Sequence, residues 1–89
     1  MITLPDYSQG VAFVRGQYVP IAEAAIPITD WGFLRSDATY DVVTVWDGAF
    51  FRLDAHLQRF RSSCARFRLD PGLSDAQITC ILGECVRRS

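Results

Sequence analysis

Thr39-Tyr40-Asp41-Val42-Val43-Thr44-Val45-Trp46-Asp47-Gly48-Ala49-Phe50-Phe51-Arg52-Leu53-Asp54-Ala55-His56-Leu57-Gln58-Arg59-Phe60 is the stretch on which the fold turns. From Thr39 to Trp46 nearly every side chain is β-branched or aromatic, the kinds that suit a pleated, packed surface. Alternation puts Tyr40, Val42, Thr44 and Trp46 on one face and Asp41, Val43 and Val45 on the other. Neither face is cleanly polar, so the segment reads as a central strand covered on both sides. Asp47-Gly48 reads as a type I′ hairpin turn into a second strand, Ala49–Leu53. The period then changes. Leu57, Phe60, Cys64 and Phe67 recur at three- and four-residue steps, the apolar stripe of a helix that Asp54 can cap. Arg59, Ser62, Ser63 and Arg66 fall on a different face of that helix.

Upstream, the apolar runs Val11–Val14 and Gln17–Ala22 flank Arg15-Gly16 and predict another hairpin, with Pro20 confining its strand to an edge. Ala24–Ile28 extends that run only weakly because Pro27 interrupts it. Asp30-Trp31-Gly32 is a turn signal in which Gly32 can take positive φ. Downstream, Asp70-Pro71-Gly72 ends the first helix, and Ser74-Asp75-Ala76-Gln77 fits the capping box of a second. Ile78, Ile81, Leu82 and Cys85 make its apolar face, and it is still running at Ser89, which reads as a truncated chain. Hairpin, strand, hairpin, helix and helix predict an α+β domain with a mainly antiparallel sheet and two helices.

Eighty-nine residues allow one domain at most. A hydrophobic content of 49% is high for so small a unit, which implies burial against a second copy or against the rest of a larger fold. The nine basic residues are all arginine, set against ten acids, so a net charge of −1 draws the chain to neither nucleic acid nor membrane. Arg59, Arg61, Arg66 and Arg68 spread around their helix between Asp54 and Asp70, which is not the pattern of an RNA-binding face. Three cysteines and one histidine, with no C-x-x-C pair, make no zinc set; free thiols fit a reducing compartment. With no signal-peptide pattern and no apolar run near the ~20 residues of a membrane span, the expected location is the cytoplasm. The chain contains no lysine, a harder limit on its chemistry than any motif.

The run Ile28-Thr29-Asp30-Trp31-Gly32-Phe33-Leu34-Arg35-Ser36-Asp37-Ala38, continued by the opening stretch, resembles the N-terminal small domain of class IV (fold-type IV) aminotransferases. That family carries a D-x-G-F/Y turn, a G/S-D-x-x-Y/F-E/D segment leading into a strand, a short-turn hairpin and an H-h-x-R-h helix. The likeness covers about residues 10 to 70, and four pieces in the right order make it specific. The wording Ser36-Asp37-Ala38-Thr39-Tyr40-Asp41 is nearest the (R)-selective amine transaminase and D-amino-acid aminotransferase branch. Residues 1–89 are then a partial N-terminal domain.

The resemblance implies pyridoxal 5'-phosphate (PLP) as cofactor, a homodimer, and transfer of an amino group between an amine or amino acid and a keto acid. It puts Arg59 on the PLP phosphate, where a guanidinium offers a planar fork of donors, and Arg59 lies off the apolar stripe. Tyr40 matches an aromatic that faces the substrate, and Val42 shares its face. Arg35 stands where relatives carry varied pocket residues; a cation there suits a substrate carboxylate. His56 matches a helix-start residue with a structural role and not a base. The family's lysine, which holds the cofactor and moves the proton, and the glutamate facing its ring nitrogen belong to a larger C-terminal domain. No catalytic residue is therefore expected here, and the chain alone is expected to be inactive. Three other readings stay open: a branched-chain aminotransferase, an aminodeoxychorismate lyase, or an oligomerising module without chemistry.

Overall fold

The computed structural model describes residues 4–89. They divide into two compact units. One joins the chain up to Ile26 to Ser74–Ser89; the other is Pro27–Leu73.

In the first unit, β1 (Val11–Val14) pairs antiparallel with β2 (Gln17–Pro20), Val11 opposite Pro20 and Val14 opposite Gln17. Arg15 and Gly16 take φ of 54° and 76°, the two positive values a type I′ turn requires. Both strands of a two-stranded sheet are edges, so Pro20 is tolerated. The strand predicted to reach Ala22 stops there: Ile21–Glu23 is one turn of 3-10 helix, and no strand forms over residues 24–28. Phe13 and Tyr18 meet edge to face, 4.9 Å between centroids.

Helix α3 (Asp75–Arg88) opens with the predicted capping box, Ser74 accepting from the Gln77 amide while the Gln77 side chain accepts from that of Ser74. It packs on β1, and Ile78, Ile81, Leu82 and Cys85 are half-buried. At its far end Arg88 donates to Glu84 (2.7 Å) and to the Tyr7 hydroxyl (3.3 Å), and lies 4.3 Å from the centre of the Tyr18 ring.

The second unit holds the deciding stretch, and here the sequence reading needs correction. Asp30-Trp31-Gly32 opens a short helix, α1 (Trp31–Arg35), with the Asp30 carboxylate capping the Gly32 amide at 2.8 Å. Gly32 does not adopt positive φ; the left-handed residue is Ser36, which closes the helix. What requires glycine is space, because a Cβ there would stand 2.8 Å from the capping oxygen of Asp30.

The predicted strand Thr39–Trp46 shrinks to β3 (Val45–Trp46), paired with β4 (Ala49–Phe50). One further bond, from the Phe51 amide to the Thr44 carbonyl, extends this ladder. A central strand needs a partner on each side, and among the described residues no strand flanks residues 39–44; β propensity alone makes no ladder. The alternation survives without it. Thr39, Asp41 and Val43 are half-buried, while Tyr40, Val42 and Thr44 are exposed. Asp47 and Gly48 have φ of 51° and 76°, as the predicted turn requires.

Helix α2 (Leu53–Arg66) begins at the residue assigned to the strand's end. Its N-cap is Arg52 in the left-handed region, φ 55°, with no side-chain cap; Asp54 is in the first turn instead, where its charge suits the helix dipole. It ends before Asp70-Pro71-Gly72. Arg68 is left-handed, its amide bonds the Ala65 carbonyl, and the Leu69 amide bonds that of Cys64, a Schellman closure. Phe67, placed in the apolar stripe by periodicity, is the exposed C-cap. Cys64, 4% exposed, is alone among the described residues in being buried. Among the described residues, three α-helices and two antiparallel hairpins make an α+β fold, as expected.

Candidate functional site

The chemistry gathers on one side of the first two turns of α2. Arg52 lies three and four residues before Ala55 and His56, and these lie four and three residues before Arg59, so the four share a face. With Phe51 they line an open pocket of about 380 Å³. The left-handed backbone at Arg52 is what turns the chain out of the hairpin and straight into this helix. Non-glycine residues in that region store strain and tend to mark functional segments.

Asp41 comes to this face from the extended segment. Its carboxylate receives Arg59 twice, from Nε at 2.7 Å and from Nη2 at 2.7 Å, a bidentate pair. His56 Nδ1 lies 2.7 Å from the same carboxylate, while Arg59 Nη2 is 3.2 Å from that nitrogen. An arginine N–H can only donate, so Nδ1 cannot both give a proton to Asp41 and accept one from Arg59. The shorter contact, to a charged acceptor, fixes the proton on Nδ1. Asp41 thus carries two neighbours on one carboxylate. Its side chain is 12% exposed, against 65% for Arg59.

The electrostatics follow from this geometry. Arg59, and then His56, hold the Asp41 carboxyl well below the usual carboxylate range. The same hydrogen bond pushes Arg59 further up, so its charge is permanent. Two guanidiniums against a single carboxylate leave the pocket positive, a chemistry that suits an anion. The Nε/Nη2 edge of Arg59 is engaged by Asp41, so an anion in the pocket would meet the Nη1 end. No group of three metal-ligating side chains occurs among the described residues.

Of the residues singled out by sequence, Arg59 lines the pocket. Tyr40 and Val42 share the outward face of the extended segment, 84% and 69% exposed, and so stand on the side opposite Asp41. Arg35 lies in α1 with its guanidinium over the Trp31 ring at 4.5 Å. Asp41 and Arg52 were missed. The signals for them were present: Asp41 is the one acid of its strand face, and Arg52 precedes Arg59 by two helical turns. His56, read as structural, is bonded to Asp41 and also lines the pocket.

Comparison with known proteins adds an independent line. The chain is 32% identical over 72 residues to a D-alanine aminotransferase of Bacillus licheniformis, covering 81% of this chain and 25% of that protein. A D-alanine aminotransferase of Staphylococcus haemolyticus is 25% identical over 75 residues, 84% of this chain and 27% of the relative. One from Staphylococcus aureus (strain N315) is 31% identical over 58 residues, 65% and 21% respectively. The chain thus spans about a quarter of the length of the curated relatives it matches. The family model for amino-transferase class IV matches residues 38–89, a span that contains Asp41, the β3–β4 hairpin and the whole of α2. On that match, the chain belongs to the class IV aminotransferases.

Proposed function

We propose that this chain is the N-terminal part of a PLP-dependent transaminase that moves an amino group between a D-amino acid or (R)-amine and a keto acid. The observation that carries the reading is the positive pocket on α2, where Arg52, His56 and Arg59 converge at a place suited to a phosphate. Family membership and D-alanine aminotransferase relatives support the reaction class. When bound, PLP acts as an electron sink for the bonds at the substrate's α-carbon. The chain's own contribution is binding and orientation. Arg59 holds the phosphate by charge-assisted hydrogen bonds, with Arg52 adding charge at the rim. Tyr40 and Val42 face the substrate from the outward side of the extended segment. Arg35 binds the substrate carboxylate; stacking on Trp31 uses the face of the guanidinium and leaves its in-plane donors for a ligand. The complete enzyme is a homodimer, in which the exposed apolar side chains of this chain find cover.

The test uses the full-length apo protein and absorbance titration with PLP. Arg59→Ala should weaken binding about ten- to a hundredfold, the range for losing a hydrogen bond to a charged group. Arg59→Lys should recover part, since it keeps the charge and loses the fork. Arg66→Ala, on the same helix and outside the pocket, should change affinity little. Equal PLP affinity in Arg59→Ala and the parent would refute the phosphate role.

A further inference from the structure

The Asp41 carboxylate has the geometry of a bracket. It takes the Nε and Nη2 donors of Arg59 on its two oxygens and His56 Nδ1 on one of them, each at 2.7 Å. Arg59 is a long side chain that is mostly exposed, so without a fixed partner it samples many rotamers, and ordering it on binding costs entropy. Asp41 is itself well covered and sits on an extended segment whose neighbours alternate inward and outward. We propose that Asp41 is the positioning residue of the anion site: it locks the Arg59 guanidinium in one plane, with Nη1 presented to the phosphate, and fixes the His56 ring beside it. This rests on the reading of Arg59 as the phosphate-binding residue.

Two effects of Asp41 oppose each other. Its negative charge repels a phosphate, while its hydrogen bonds pre-organise the cation that attracts one. The site opens to solvent on the Arg59 side, and Asp41 is already neutralised by its paired guanidinium, so its repulsion of a phosphate several ångströms away is weakened by water and salt. Losing pre-organisation removes the directional part of an arginine–phosphate contact, and removing partners that orient a binding group commonly costs about 10- to 100-fold, as measured at metal sites. Positioning outweighs repulsion, so neutralising Asp41 weakens phosphate binding.

The experiment measures binding of PLP and of pyridoxal, which has the same ring and aldehyde but no phosphate, to full-length apo protein. The forms compared are the parent, Asp41→Asn, Asp41→Glu, Arg59→Ala and the double variant Asp41→Asn/Arg59→Ala. Asp41→Asn should lower PLP affinity about tenfold and leave pyridoxal affinity unchanged, a split that general loosening of the fold would not produce. Asp41→Glu, which keeps the charge on a longer arm, should recover part of the loss. In the double variant the asparagine should add no further loss to that of the arginine, because the favourable effect of Asp41 runs through Arg59. If Arg59→Ala weakens PLP binding and Asp41→Asn does not, or Asp41→Asn weakens PLP and pyridoxal alike, the bracket is overturned and the phosphate site stands. If Arg59→Ala itself has no effect, the phosphate reading falls and takes the bracket with it.

Discussion

Two glycines separate the steric demands on this chain from the conformational ones. Gly32 sits in an ordinary helical conformation, and an added Cβ would stand 2.8 Å from the Asp30 oxygen that caps α1. Gly48 has open space around it but φ of 76°. Gly32→Ala should therefore displace the cap and cost about 1 kcal/mol, the usual value of an N-cap bond. Gly48→Ala should cost about 1–2 kcal/mol from the left-handed backbone alone. Chemical denaturation in an Asp30→Ala background tells the two causes apart. There the Gly32→Ala penalty should disappear, because no capping oxygen is left to displace, and the Gly48→Ala penalty should persist. Charge gives a further residue-scale test. Arg87, and then Arg88, hold Glu84 at about 2, below its ordinary 4.5. A carboxylate depressed on folding stabilises the fold fully above its unfolded value and loses that contribution as pH falls through the folded one. The stability that Glu84 contributes should thus be full at about pH 5 and decline between about 4.5 and 2, while its tie to Arg88 in the folded protein breaks only as pH falls through about 2. A carbon-13 titration of the Glu84 carboxyl with a midpoint near 4.5 would contradict it.

At the scale of elements, the parts legible in the sequence were those whose cause is local. Both hairpin turns, the capping box of α3 and the existence of α2 follow from residue types at fixed spacing, and each lies where it was read. The segment from Thr39 to Thr44 was not legible as what it is, because a strand needs partners and sequence pattern records only its side chains. Its two-faced character was legible nonetheless, and that puts Asp41 on one side and Tyr40 with Val42 on the other. The boundary between β4 and α2 was missed for a related reason. Arg52 takes a left-handed conformation that neither strand nor helix propensity anticipates, so the helix starts without a side-chain cap. The candidate site was half legible: Arg59 came from its place beside His56 in a known pattern. The Asp41 contact joins residues 18 apart and depends on how the extended segment passes α2.

Across the whole molecule, the scarcity of full burial and the absence of lysine point the same way. In the unit from Pro27 to Leu73, Ile28, Phe33, Tyr40, Val42 and Trp46 are exposed, and Cys64 alone among the described residues is buried. So much uncovered apolar surface is ordinarily a surface for association. The chain supplies charge and shape for an anion, yet it offers no side-chain amine that could hold an aldehyde cofactor covalently. On the proposed phosphate role of Arg59, the aldehyde end is held by an amine from outside residues 1–89. Borohydride reduction of the PLP-loaded full-length protein fixes the cofactor to whichever amine holds it, and peptide mapping then locates the added mass. The expected result is one labelled lysine outside residues 1–89, with the peptides containing His56 and Arg59 unmodified. In Arg59→Ala, at a PLP concentration that restores loading, the label should fall on that same lysine, because the role proposed for the arginine is retention and not attachment. A labelled peptide from within residues 1–89 would mean that the division of labour between phosphate grip and covalent attachment is wrong.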